Sequence, residues 1–199
     1  MFSSRSFYLS LLAGFSLVFA GCTTPTIPDQ QRTALEQLVN STAVDKSIEQ
    51  FSIPEVDGRK VYFDGRYIEG YDEGYVIASL RDLLSRSGAH LVEYREQADM
   101  VVEGRSGALG FDLSDALVGI PSLAMAFPGL GGFQTPELAL YKNVNADGVA
   151  KLALLGYERE GGAPVFSTGA IAGDSYFYHY SFLLIIDINF TDIPERDDY

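Results

Sequence analysis

Tryptophan is absent from the 199-residue chain, histidine occurs twice, and there is one cysteine. With one thiol no disulfide can close within the chain, so packing must hold the fold. His90, His179 and that cysteine supply no ligand set at metal spacing, and each histidine reads as a structural or surface residue. Basic side chains are scarce too: 14 Lys and Arg stand against 27 Asp and Glu, a net charge of −13. Nucleic acid and anionic lipid both attract a positive face, so neither is an expected electrostatic partner. Catalytic motifs are missing as well. "GRSGA" (Gly104 to Ala108) lacks the second glycine that a nucleophile elbow needs around Ser106. "GLGGF" (Gly129 to Phe133) fails the dinucleotide fingerprint. "NVNADG" opens like a calcium loop at Asn143, Asn145, Asp147 and Gly148, but the closing glutamate position holds Leu154. The carboxylate pairs Asp72/Glu73 and Asp112/Asp115 fall in helix-start or loop-like contexts, where such groups cap backbone amides. The expectation is a chain with no catalytic residue, no cofactor and no metal, hence no enzyme.

What is present begins at the N-terminus. Arg5 is the only charged side chain before Asp29, and an apolar run from Phe7 to Phe19 follows it. A basic start, a short apolar centre and the small residues Ala20 and Gly21 describe a secretory leader. The run is short of the ~20 apolar residues a transmembrane helix needs. Two exits from the leader are open: ordinary cleavage after Ala20, which leaves a free thiol in an oxidising compartment, or processing at Cys22. Phe19-Ala20-Gly21-Cys22 resembles the lipobox of bacterial lipoproteins, with Phe19 where leucine is usual. That resemblance implies diacylglycerol on the Cys22 sulfur and an acyl group on its freed amine, several chains together making a stable anchor. Thr23 follows where aspartate would imply inner-membrane retention, so the resemblance implies the outer membrane, periplasmic face. The bilayer is then a partner through acylated Cys22.

The expected organisation is a signal peptide at 1–21, a Thr/Pro-rich tether at 22–30, an α/β domain at 31–175, and a long aromatic strand with an acidic tail at 176–199. Removing residues 1–21 leaves 178, enough for one packed domain; losing Arg5 leaves 13 basic against 27 acidic side chains, a net charge of −14.

Apolar spacing at Leu35, Leu38, Val39, Thr42, Val44, Ile48 and Phe51 predicts a helix over 31–51, kinked near Asn40 to Thr42. "RKVYFDG" predicts a strand, and Val76, Ile77, Leu80, Leu83 and Leu84 a helix over 75–87 with Gly88 past its end. Strands at His90 to Tyr94 and Asp99 to Gly110 complete a βαβ crossover that sets Val61 beside Leu91. Antiparallel hairpins follow: "NADG" (Asn145 to Gly148) reads as a tight turn, and "EGG" as the next. The predicted fold is α/β (α+β): one domain, a mixed sheet with one βαβ crossover, an antiparallel hairpin region, and helices packed on the sheet.

Two segments stay open at this level. Ala116 to Phe133 has no charge in eighteen residues, yet Pro121, Pro128 and four glycines forbid one spanning helix. It reads either as a buried apolar loop or as a surface for a partner or membrane. Tyr176 to Phe190 alternates with period two, with Tyr, Phe, Leu and Ile at even positions and His179, Ser181, Asp187 and Asn189 on the other side. It reads as one long strand of a soluble sheet, or as a strand reaching lipid in a ring of subunits.

"RTALEQLVNSTAVDKSI", "RKVYFDG", "YVIASLRDLLSRSGAHLVE", "ADMVVEGRSGALG", "GIPS", "PELALYKNV" and "GVAKLALLGYERE" together resemble a bacterial lipoprotein family with a domain of unknown function, over about residues 31–169. Their order is similar, at fold level, to the periplasmic domain of curli-secretion and penicillin-binding-protein activator lipoproteins. The resemblance implies a protein-binding envelope component with an unidentified envelope protein partner or a homo-oligomeric assembly. Subunits of a secretion or pore assembly, and an envelope hydrolase, are the alternatives.

Overall fold

The computed structural model describes residues 33–127, 131–183 and 185–194. The leader, the tether with Cys22, residues 128–130 of the apolar segment, Leu184 and the tail from 195 onward lie outside the described residues.

Thr33 starts helix α1 (Ala34–Ile48) with a capping box: its hydroxyl accepts from the Glu36 N–H, and the Glu36 carboxylate accepts from the Thr33 N–H at 2.7 Å. The helix runs unbroken through Asn40 to Thr42, without the expected kink. Its buried stripe is Val39, Ala43, Val44 and Ile48 with Asn40, Thr42 and Ser47, while Leu38 lies exposed. The stripe is rotated from the one spacing predicts because small residues, Ala43 and Ser47, let the backbone approach the sheet.

Strand β1 (Lys60–Tyr67), helix α2 (Glu73–Arg86) and strand β2 (His90–Leu91) form the predicted crossover, with Val61 paired in parallel to Leu91. The end of α2 is a Schellman arrangement: Ala89 N–H donates to Leu84 C=O and Gly88 N–H to Ser85 C=O. Gly88 takes φ +91° there, and a Cβ would sit 2.1 Å from Asp57 Oδ1. The expected strand at His90 to Tyr94 shrinks to two paired residues, since the chain turns through a 3-10 segment (Arg95–Gln97) to enter β3 on the other side of β1.

Strand β3 (Met100–Ile120) lies parallel to β1 and antiparallel to β6 (Leu138–Glu158); between them come β4 (Ala124–Phe127) and β5 (Gly131–Gln134), paired as a separate ribbon. Strand β7 (Pro164–Phe182) follows the predicted turn at "EGG", where Gly161 and Gly162 take φ +81° and +66°. Strand β8 (Ile186–Thr191) closes the order β2-β1-β3-β6-β7-β8. The result is one α+β domain with a mixed six-stranded sheet and two helices on one face.

Three sequence expectations are corrected. "NADG" is no turn: Asn145 to Gly148 lie inside β6, paired on both sides. Gly148 serves contact instead, since a Cβ there would meet Val39 Cγ1 and Val39 O at 2.7 Å. Tyr176 to Phe190 is not one strand but the hairpin β7–β8, reversing at Leu183 (φ +50°). The apolar segment from Ala116 is not a buried loop: its first five residues extend β3, and Val118, Ile120 and Leu123 are exposed.

The core lies between both helices and the near half of the sheet, with Val44, Val56, Val61, Val76, Leu80, Leu84, Met100, Val102, Leu152 and Leu154 essentially inaccessible. At ~3.3 Å per residue the 21-residue strands β3 and β6 span about 70 Å. Helix α1 is 15 residues long, about 22 Å at 1.5 Å per residue, so the sheet outruns it.

Gly173 fixes where α1 sits, because a Cβ there would stand 2.2 Å from Ala43 O and 2.5 Å from Ser47 N, both backbone. Gly173→Ala is expected to cost at least about 1–3 kcal/mol and to lower the melting temperature by roughly 2–4 °C per kcal/mol. Gly107→Ala, whose Cβ comes no nearer than 3.5 Å to any neighbour, there the Lys151 side chain, is the control that thermal melts should find near neutral.

Candidate functional site

Three polar clusters stand outside the core. The first is a groove of about 470 Å³ between α1 and α2, lined by Asp45, Glu49, Tyr75, Asp82 and Arg86. Tyr75 donates to Asp45 at 2.7 Å, and Arg86 pairs with Asp82 one helical turn away. Burial pushes the Asp45 carboxyl up, against the lowering effect of the Tyr75 bond. Asp45 and Asp82 are thus engaged within the groove itself.

The second lies on the sheet's back face, away from the helices. Asp64 and Glu103 are register partners on β1 and β3. Arg66 holds Asp64 through Nε bonds of 3.0 and 2.9 Å, and this keeps the Asp64 carboxyl below the ordinary range. Tyr157 donates to Glu103 at 2.7 Å and accepts from Arg95 at 3.1 Å. Burial and the Glu103 bond raise the Tyr157 hydroxyl. Each carboxylate here has a donor partner.

The third is the far half of the sheet. Beyond Ala146 toward the tip, Ala139 is the one buried apolar side chain among the described residues. Register defines side-chain rows across the four strands. On the helix-bearing face these are Leu113–Ala146–Phe177–Thr191, Asp115–Val144–His179–Asn189 and Leu117–Lys142–Ser181–Asp187. On the back face they are Ser114–Asn145–Tyr178–Phe190, Ala116–Asn143–Tyr180–Ile188 and Val118–Tyr141–Phe182–Ile186. Polarity therefore crosses over midway. The helix-bearing face is mostly apolar over β3–β6 and polar over β7–β8; the back face is the reverse until its last, wholly apolar row.

The polar quarter holds a hydrogen-bond chain that pairing of β7 with β8 assembles. His179 Nδ1 meets Asn189 Oδ1 at 2.6 Å, and His179 Nε2 meets Ser181 Oγ at 3.3 Å. Ser181 donates its proton to Asp187, and Asp187 lies 3.7 Å from His179 Nε2. The order Asn–His–Ser has the connectivity of a nucleophile triad. Ser181, however, gives its hydrogen to a carboxylate, and its strand is paired on both sides, so neighbouring N–H groups are committed to ladders. A preorganised oxyanion site needs free donors.

On the back face Tyr178 donates to Asp147 at 2.6 Å, and this bond pushes its hydroxyl up to about 12. Tyr176 packs at a tilt against Tyr178, ring centroids 5.1 Å apart, and Tyr180 meets Phe190 edge-on at 6.1 Å. The aromatic ladder is thus built from both strands of the hairpin.

Of the residues singled out from sequence, His179, Ser181, Asp187 and Asn189 come together on one face as their alternation implies. His90 is exposed at the start of β2 and stands apart. Asp112 and Asp115 lie on β3, not in a loop, and point to opposite faces because strand neighbours of odd separation do. Asp72 is the N-cap position of α2 but its side chain accepts from Asn40 instead of capping amides. Ser106 clasps Glu69, accepting from its N–H and donating to its C=O. Sequence reading missed the Asp64–Arg66 and Glu103–Tyr157–Arg95 groups, whose only signal is alternation on β1 and β3. Cys22 lies outside the described residues. Among the described residues no group of three His, Cys, Asp or Glu is placed to hold a metal ion, and no helix is long and apolar enough to cross a membrane.

The fold and this far sheet define a class: a two-layer α+β domain whose antiparallel sheet outgrows its helices. The chain belongs to the "Family of unknown function (DUF6655)", which matches residues 16–185. The match runs past residue 169 to take in all of β7, further than the sequence resemblance reaches. No curated protein matches the chain.

The hairpin is tied back to the domain by Asp192. Its Oδ1 accepts from Ser175 Oγ at 2.8 Å and from the Tyr176 N–H at 2.7 Å, while Oδ2 pairs with Lys46 on α1. Burial acts to raise this carboxyl, but the Lys46, Tyr176 and Ser175 bonds outweigh it and hold it below 3.8. A depressed folded value adds stability above the unfolded one, lost as pH falls through the folded value. Asp192→Asn is expected to cost about 1–3 kcal/mol at neutral pH. Paired melts should show that gap at neutral pH and find it closed in strong acid; a gap independent of pH contradicts the ionic clasp.

Proposed function

We propose that this protein is an outer-membrane lipoprotein, held at the periplasmic face through acylated Cys22, that works by protein contact and not by catalysis. The far half of the sheet carries the reading. It presents Leu113, Val118, Ile120, Leu138, Leu140, Ile186, Ile188 and Phe190 to solvent, and apolar surface on that scale marks an interaction site. The order of helix, crossover and hairpins, similar to that of curli-secretion and penicillin-binding-protein activator lipoproteins, supports the same reading by analogy of fold. A net charge of −13 supports protein over nucleic acid as the partner.

Metabolic palmitate labelling tests the anchor. The wild-type chain is expected to take label and sediment with membranes, and Cys22→Ser to lose both; an unlabelled wild type overturns the anchor. Cross-linking in intact envelopes then tests the contact, with loss of adducts expected when Ile188 and Phe190 are changed to serine.

A hydrolase reading would rest on Ser181. A fluorophosphonate probe is expected to leave Ser181 unmodified, because its proton is given to Asp187. Labelling that Ser181→Ala abolishes replaces the contact reading with an esterase-like one.

A further inference from the structure

We infer that the far sheet joins copies of this chain edge to edge, β3 of one copy pairing with β8 of the next. The inference deepens the protein-contact reading, which it rests on, by naming the partner as a second copy.

Among the described residues both edges of the far sheet are open. Strand β1 registers with β3 only as far as Arg105, and the residues following β1 accompany β3 to Phe111 through the Ser106–Glu69 clasp and the Tyr71–Phe111 ring contact. From Asp112 to Ile120 the described residues give β3 no neighbour but β6. On the opposite side β8 has, among the described residues, only β7. An open edge is a row of unpaired N–H and C=O groups, which monomeric proteins blunt with charged side chains, lysine above all, with proline, bulges or very short strands. Neither Asp112 to Ile120 nor Ile186 to Thr191 contains lysine or proline, and their charges are Asp112, Asp115 and Asp187. A bulge between Val118 and Gly119 affects only the end of the β3 edge.

The two edges fit each other in direction, level and extent. Four strands alternating antiparallel leave β3 and β8 running in opposite directions. A second copy laid alongside in the same orientation therefore brings its β8 antiparallel to β3, continuing the existing ladder without a break. The registers place Thr191 level with Leu113, and Ile186 level with Val118. Strand β8 thus covers the stretch of β3 that β1 leaves bare. At that seam Val118, Ile186, Ile188 and Phe190, each at least 41% exposed in the single chain, come together on the back face. A contact of different surfaces in one orientation propagates, and it closes as a ring when the rotation allows.

Cysteine pairs read the seam directly in full-length protein in envelopes. Ala116→Cys with Ile188→Cys in one chain is expected to give a ladder of disulfide-linked multimers on non-reducing gels. Pairing Ser114→Cys or Val118→Cys with Ile188→Cys covers a stagger of two residues either way. Each single variant is expected to stay monomeric and serves as the folding control. Ala116→Lys, at an exposed edge position, is expected to abolish the multimer of the detergent-extracted wild type while leaving its circular dichroism unchanged.

The inference is overturned if all three double variants run as monomers, if single variants cross-link as well as doubles, or if the adducts contain a different protein. Palmitate labelling of Cys22 is read in the same samples. An anchored chain without multimers removes the seam and keeps the anchor; multimers without label do the opposite.

Discussion

The antiparallel ladder between β3 and β6, from Met100 opposite Glu158 out to Ile120 opposite Leu138, carries both halves of the molecule. Its near end is covered by helices and supplies Met100, Val102, Leu152 and Leu154 to the core. Its far end has no such cover among the described residues; the ladder, β7 and β8 on one side and what little its own side chains bury hold its shape. A hairpin in isolation is marginal in water, and three or more strands or a packed helix are needed for independence. Here the helix layer anchors the near end, and the same strands continue outward. Stability is made at one end, and the exposed surface is held at the other.

The near half was legible because its signals are local and agree with one another. A helical stripe at Val76, Leu80, Leu83 and Leu84, closed by Gly88, leaves one arrangement for the strands on either side, and the parallel pairing of Val61 with Leu91 follows from crossover handedness. The far half was not legible for a reason visible in two glycine-bearing motifs. "EGG" is a turn because nothing packs where its glycines lie. "NADG" is a strand because Gly148 is wanted for the approach of Val39, and sequence does not say which use a glycine serves.

Parity explains the other misreading. In the β7–β8 hairpin Phe182 pairs with Ile186, Tyr180 with Ile188 and Tyr178 with Phe190. Each pair is separated by an even number of residues, so every even position stays on one face through the reversal. One straight strand and this hairpin give identical alternation. The reversal is also silent in composition, since Leu183 takes the left-handed conformation where glycine or asparagine would have marked it. What alternation did yield was the company His179 keeps: Ser181, Asp187 and Asn189 share its face in either geometry, and the candidate site's polar quarter was readable although its fold was not.

The crossing of polarity over the far sheet decides what kind of surface it offers. A sheet that spans a bilayer presents one apolar face, interrupted by few charges. On this sheet the back face carries Asp112, Asn143, Asn145 and Asp147, and the helix-bearing face carries Asp115, Lys142, His179, Asp187 and Asn189. Either face set against hydrocarbon would bury several of these, at a cost of about 2–4 kcal/mol for Lys142 near the midplane and less for each aspartate. The edges carry no such penalty, since backbone pairing is indifferent to which side chains point up or down. At a β3–β8 seam, the apolar end of one face's row meets the polar end of its neighbour's, so the alternation of quarters repeats around an assembly instead of summing to one greasy side. Asp115 and Asp187 come within two residues of register across that seam on the same face. Salt screens such a repulsion, so a seam of this kind would tighten as ionic strength rises.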